Sequence, residues 1–136
     1  MPVSTYGERL GGVLLCIDDN EDVLECEKSF LESFGYTVLT APNGGKGLEL
    51  AAVYPVDVVI VDYLIPEMNG REFVVKMRSL RPETPIIMLS GELNVPERVL
   101  KWVDAFVAKD RLGSHLLPAI AQLHGRGLAL PPMFDS

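Results

Sequence analysis

Asp18 and Asp19 stand side by side directly after a short apolar run, and three further runs lead into Asp62, Ser90 and Lys109. Three carboxylates, a hydroxyl and an ammonium brought to one edge would not sit there idly. Two carboxylates about 5 Å apart at an effective dielectric near 20 repel by roughly 3 kcal/mol, and three such pairs cost on the order of 10 kcal/mol. That sum rivals the stability of a whole domain. One lysine cannot cancel it. A hard divalent cation can, and Mg²⁺ (or Mn²⁺) favours a carboxylate or two together with water and phosphate oxygens. A carboxylate beside such an ion can attack phosphorus and become an acyl phosphate. Asp62 is the expected nucleophile because it ends the central run, with Asp18 and Asp19 as the metal-holding pair. Phosphoryl transfer needs positioning and neutralisation of three equatorial oxygens. The metal, Lys109 and the Ser90 hydroxyl supply one contact each.

The elements that must position these groups recur along the chain. Apolar runs at Val13–Ile17, Thr37–Thr40, Val56–Val61, Ile86–Leu89 and Ala105–Ala108 are mostly apolar at successive positions, as in strands covered on both faces. Between them apolar residues return at helical spacing: Val23, Phe30 and Phe34 with Leu24 and Leu31 beside them; Phe73, Val74, Met77 and Leu80; Leu116, Leu117, Ile120 and Leu123. Strand and helix alternating in this way predict a doubly wound α/β fold with a parallel sheet. Ligands of such sheets bind outside the carboxyl ends of the strands, which is where the chemistry-bearing residues fall.

Local punctuation sets the expected boundaries. Asn69 with Glu72 three residues later predicts a helix start. The helix after the second run is expected to begin beyond Gly44, Gly45 and Gly47, since each helical glycine costs roughly 1 kcal/mol against alanine. The fourth helix is confined between Pro96 and Trp102, two turns at most. Ser114 can cap the last helix, and Pro118 must then lie in its first turn or mark a later start, because a deeper proline would break it.

Composition excludes several classes. Twelve Lys+Arg against nineteen Asp+Glu give a net charge of −7, with no basic concentration, so nucleic acid and anionic membranes are unfavourable partners. The longest apolar stretch, Leu10–Ile17, is far short of the roughly 18 residues that cross a bilayer. Met1–Gly11 lacks the apolar core of a signal peptide, which predicts a cytoplasmic protein. Cys16 and Cys26 have no metal or disulfide spacing and read as buried apolar residues.

Ile17-Asp18-Asp19-Asn20, the segment Val61-Asp62-Tyr63-Leu64-Ile65-Pro66-Glu67-Met68-Asn69-Gly70, Leu89-Ser90-Gly91 and Phe106-Val107-Ala108-Lys109 together resemble the receiver domain of two-component response regulators. The resemblance spans about residues 10–124, leaving 1–9 as an extension and 125–136 as a poorly ordered tail. It implies a flavodoxin-like (βα)5 fold with strand order 2-1-3-4-5, and Asp62 as the aspartate phosphorylated by a histidine kinase or phosphotransfer protein. Asp19 would bind Mg²⁺ directly, Asp18 mainly through water, and Asp62 with the Leu64 carbonyl would complete the protein ligands. Ser90 would swing toward the phosphoryl group and Phe106 would follow as the aromatic switch. The fourth helix, fifth strand and fifth helix would then present a changed face to an output protein or to a second copy.

The chain departs from the family pattern in three ways. Asp110 stands where receivers usually place a cis-proline. A non-proline cis bond costs about 2.5–4 kcal/mol, so either a trans bond with a rebuilt loop or a strained cis bond is expected. The Ser90–Lys109 interval is short, and Phe106 lacks a tyrosine's hydroxyl. Individually, the aspartates also suit helix starts and Ser90-Gly91 suits a turn. Glu92 and Leu64 flank the site and are candidates for tuning hydrolysis. The expected function is a stand-alone, self-phosphorylating receiver that signals through protein contacts. The competing reading is a receiver-like interaction domain that works without phosphorylation. A phosphohydrolase is disfavoured because Leu64 occupies the position of its acid/base, and a flavin protein because the Asp18–Asp22 loop would repel its phosphate.

Overall fold

The computed structural model describes residues 11–65, 68–91 and 95–126. The expectations for residues 1–9, for Pro66, Glu67 and Glu92, and for residues 127–136 lie outside the described residues, whereas Gly125 and Arg126, expected in the poorly ordered tail, are the last two residues of the final helix. The elements are β1 (Val13–Ile17), α1 (Glu21–Glu32), β2 (Thr37–Ala41), α2 (Gly44–Val53), β3 (Val58–Asp62), α3 (Gly70–Leu80), β4 (Ile86–Ser90), α4 (Glu97–Leu100), β5 (Ala105–Ala108), a 3₁₀ turn (Lys109–Arg111) and α5 (Leu112–Arg126). The strands are parallel and ordered β2-β1-β3-β4-β5, as the family resemblance implied.

The three inner strands are nearly continuous apolar runs because helices cover both their faces. Every residue of β3 and β4 is buried, as are Leu14 to Ile17 of β1. On one face Leu15, Ile17, Val59, Val61, Ile86 and Met88 pack with Ala51 of α2, Phe73 and Met77 of α3 and Val99 of α4. On the other, Leu14, Cys16, Ile60, Ile87 and Leu89 pack with Leu24 and Leu31 of α1 and Leu116, Ile120 and Leu123 of α5. Each such side chain contributes roughly 1.5–3 kcal/mol on burial. These two layers hold the strand ends in fixed register.

Several boundaries differ from expectation. β3 begins at Val58, not Val56. α2 begins at Gly44 and contains all three glycines, contrary to the predicted later start. Asn43 caps it, accepting from the Lys46 amide at 2.8 Å. The glycines permit close packing: a Cβ at Gly47 would lie 2.5 Å from Ile17 Cδ1, and one at Gly44 2.9 Å from Met68 Sδ. Asn69 caps α3 through the Glu72 amide at 2.7 Å, as predicted.

In α1 the buried stripe is Leu24, Glu27 and Leu31, whereas Phe30 and Phe34 stay exposed and meet edge to face at 5.2 Å. The stripe lies on the neighbouring positions because Leu24 and Leu31 are the residues that reach the sheet. Cys16 is buried, but Cys26 is exposed, which corrects the reading of both as core.

α5 corrects the expectation for Ser114 and Pro118. The chain runs from the 3₁₀ turn straight into a helix at Leu112, so Ser114 is already helical and Pro118 lies in the interior. Pro118 is exposed, and the buried side chains Leu116, Ile120 and Leu123 hold the helix through it. α4 is a single short turn, within the limit predicted. The loops around it are anchored by Arg78 of α3. Its guanidinium donates to the carbonyls of Thr84 at 2.9 Å and Trp102 at 3.0 Å, and pairs with Asp104 at 2.6 Å. Among the described residues no helix is long and apolar enough to cross a membrane.

Candidate phosphoryl-transfer and metal site

The carboxyl ends of β1, β3, β4 and β5 bring the expected residues to one edge. Asp18 follows β1 and is fixed from both sides: its amide donates to the Ala41 carbonyl at 3.2 Å, and its Oδ1 accepts from the Asn20 amide at 2.9 Å. Asn20 in turn caps α1, taking the amides of Asp22 and Val23. Asp62 closes β3, and its Oδ1 accepts from the Leu64 amide at 3.2 Å. The adjacent Asp–Asp–Asn run thus serves both the strand end and the helix start.

Asp18 and Asp62 are buried, whereas Asp19 is exposed. Each offers a carboxylate oxygen, and the three oxygens lie within 4.8 Å of one another. Lys109, placed by the end of β5, reaches across to Asp62 Oδ2 at 2.8 Å and Asp18 Oδ2 at 3.2 Å. Among the described residues no peptide bond is cis, so the Lys109–Asp110 bond is trans and the loop is rebuilt as the 3₁₀ turn. Lys109 nevertheless reaches both carboxylates.

Burial first, and the charge of Asp18 second, push the Asp62 carboxyl above its ordinary range, while Lys109 and the Leu64 amide pull it back. Burial lowers the Lys109 ammonium, but its hydrogen bonds and proximity to Asp62 and Asp18 outweigh this and raise it overall. Each group therefore holds the other's charge in place. A single ammonium against three acidic groups leaves a negative site lined by hard oxygen donors, which fits a divalent cation such as Mg²⁺.

Ser90, the last residue of β4, is buried, and its strand runs beside both β3 and β5, with Leu89 opposite Asp62 and Ala108 opposite Ser90. Phe106 of β5 is 39% exposed, facing outward. Leu64 is exposed and supplies its amide to Asp62. Trp102 lies at the surface, with its carbonyl bound to Arg78.

One carboxyl near the site escaped the sequence reading. Glu27 of α1 is buried and shares a hydrogen bond with the Cys16 thiol; burial, then the charge of Asp18, pushes it up to about 7. Burial and Glu27 likewise push the Cys16 thiol upward. The signal was present in the sequence: Glu27 follows Leu24 by three residues and precedes Leu31 by four, on the apolar stripe itself.

The family model of the response regulator receiver domain matches residues 14–119. The chain is 34% identical over 86 residues to the transcriptional regulatory protein GlrR of Escherichia coli, covering 63% of this chain and 19% of that protein. It is 29% identical over 86 residues to the cell cycle response regulator CtrA of Brucella ovis, covering 63% and 37%. The chain thus spans well under half the length of these curated relatives. Among solved structures, a response regulator receiver domain protein from Clostridium thermocellum superposes with a TM-score of 0.80 at 26% identity, over 88% of this chain and 99% of that one. The response regulator TrrA of Thermotoga maritima, solved in complex with Mg²⁺ and BeF, gives 0.78 at 26% identity, over 82% and 98%.

Proposed function

This chain belongs to the response regulator receiver-domain family, and we propose that it accepts a phosphoryl group on Asp62 from a histidine kinase or a histidine phosphotransfer protein in the cytoplasm. The observation that carries this reading is the Lys109 ammonium seated between Asp18 and Asp62, with the Asp19 carboxylate completing the acidic cluster. Asp18, Asp19 and Asp62 would hold Mg²⁺ with the Leu64 carbonyl. The bound ion would supply positive charge to the oxygens of the incoming phosphoryl group.

In the proposed transfer, an Asp62 carboxylate oxygen forms the new O–P bond. The N–P bond of the donor phosphohistidine breaks, and its electron pair leaves with the imidazole. Lys109 then exchanges its contact with Asp62 for a phosphoryl oxygen, so its positive charge stays beside the developing negative charge. The Ser90 hydroxyl donates to a second oxygen. Movement of Ser90 draws Phe106 inward from its exposed position on β5, altering the α4–β5–α5 face. That face passes the signal to an output protein or to a second copy of the chain. Catalysis is confined to the domain's own phosphorylation and dephosphorylation.

The test is incubation of the full chain with Mg²⁺ and acetyl phosphate, read by intact mass and by amide NMR. Gain of one base-labile phosphoryl group, absent in Asp62→Asn and in chelator, is the expected result. No modification of the wild type, together with unchanged spectra in Mg²⁺ and beryllofluoride, would refute it and favour an interaction domain that works without phosphorylation.

A further inference from the structure

Between α1 and α5 lies an open groove of about 190 Å³, walled by Cys26, Glu27 and Phe30 on one side and by Leu112, Gly113 and Leu116 on the other. Phe34 follows Phe30 by one helical turn, and the two rings meet at 5.2 Å, so the groove continues as an apolar seam along α1. Phe30 is 39% and Phe34 55% exposed. The seam runs toward the pole of the sheet where α1 and α5 both end. There the Gly35 carbonyl lies against Gly11, and His124 of α5 lies against Gly12. Contiguous exposed apolar surface of this kind marks a place where something packs.

The chain itself supplies a matching segment. Immediately after α5 it reads Gly127-Leu128-Ala129-Leu130-Pro131-Pro132-Met133-Phe134, eight residues without a charge. We propose that residues 128–134 fold back along the α1–α5 seam as a strap, with Leu128 and Leu130 covering Phe34 and the Phe134 ring filling the groove. A glycine directly after the last helical residue is the one that most readily reverses the chain. Leu128 and Leu130 share one side of an extended segment. From Arg126 back to Leu116 is a path of about 15 Å along α5. An extended chain covers that in about five residues at 3.3 Å or so each, which brings Phe134 within reach and leaves slack for the reversal. A space of about 150 Å³ lined by aliphatic side chains holds a benzene-sized guest, so the groove takes a single aromatic side chain and no helix. Tethering beside the seam gives the strap an effective concentration in the millimolar range. Contacts too weak to hold a free ligand therefore hold this one. The seated strap closes the α1–α5 face to other partners, and it does not depend on phosphorylation of Asp62.

The experiment is NMR on the isotopically labelled full chain. Nuclear Overhauser contacts from the Phe134 ring to the Leu112 and Leu116 methyls, and from the Leu128 or Leu130 methyls to the Phe34 ring, are expected and should keep their intensity on dilution. Phe134→Ser alters no residue of β1 through α5. It should abolish the groove contacts and shift the amides of Cys26, Phe30, Gly113 and Leu116. Gly113→Met places a side chain where an added Cβ meets nothing within 4 Å. It should therefore fold normally, compete with Phe134 for the groove and remove the same contacts. Absence of these contacts in the wild type, shifts in Phe134→Ser confined to its sequence neighbours, or contacts that survive in Gly113→Met would overturn the strap. Contacts that fade on dilution would overturn it too, because the segment then lies on a second copy.

Discussion

Replacing Glu27 with glutamine changes one buried proton and little else, so its effect can be worked out in advance. The Glu27 carboxyl rises from 4.5 to about 7 in the folded chain, a gap that corresponds to about 3 kcal/mol. Between those two values the unfolded chain gives up the proton while the folded chain keeps it. Protonation therefore favours the folded state. The contribution is fully present below about 4.5 and is lost as the pH rises through about 7. Most of the loss, about 2.5 kcal/mol, falls between pH 5 and pH 8. Glu27→Gln keeps the shape but cannot titrate, and Asp18, Asp62 and Lys109 remain in both proteins and largely cancel in the difference. Urea unfolding of both proteins at a series of pH values, at fixed ionic strength and without divalent cations, measures it. The variant should gain about 2.5 kcal/mol on the wild type between pH 5 and pH 8. Stability curves that run parallel within about 0.5 kcal/mol would refute the reasoning.

Substitutions at three further positions test other parts of the structure. Lys109→Met leaves Asp18 and Asp62 without the cation now 3.2 and 2.8 Å away. Unfolding in chelator should show a loss of about 2 kcal/mol, and Mg²⁺ should shrink that loss by taking over the neutralisation. Arg78→Ala removes the Asp104 pair together with the contacts to the Thr84 and Trp102 carbonyls. Thermal unfolding should register a loss of about 2–3 kcal/mol, which Arg78→Lys recovers only in small part, because an ammonium lacks the planar fork. Pro118→Ala restores an amide donor inside α5. It should raise stability by up to about 3 kcal/mol in urea unfolding.

The order of elements could be read from the chain because its inner strands are covered on both faces and so appear as unbroken apolar runs. The same feature made the site legible: whatever polar residue follows such a run lies at a strand end, and Asp18, Asp62, Ser90 and Lys109 all do. What escaped depends on neighbours distant in sequence. The start of α2 is set by how closely Gly44 and Gly47 approach Met68 and Ile17, which local propensity does not report. Pro118 is tolerated because α5 buries Leu116, Ile120 and Leu123 around it. Glu27 was hidden by its own type: a carboxylate on an apolar stripe is easily passed over as surface. Arg78 was missed because its partners become neighbours only when the loops on either side of β4 fold together. The bond after Lys109 could not be decided from sequence, since both isomers satisfy the spacing.

The trans junction after Lys109 makes the last third of the chain mechanically simple. The lysine is followed by a 3₁₀ turn and then by the 15 residues of α5 with no intervening loop, a rod about 22 Å long. At its far end His124 lies against Gly12, flanked by Asp57: a Cβ on that glycine would stand 2.9 Å from His124 Cε1 and 3.1 Å from Asp57 Oδ2. The two poles of the domain are thus connected in series. Pro118, which has no amide to donate, falls midway along that connection.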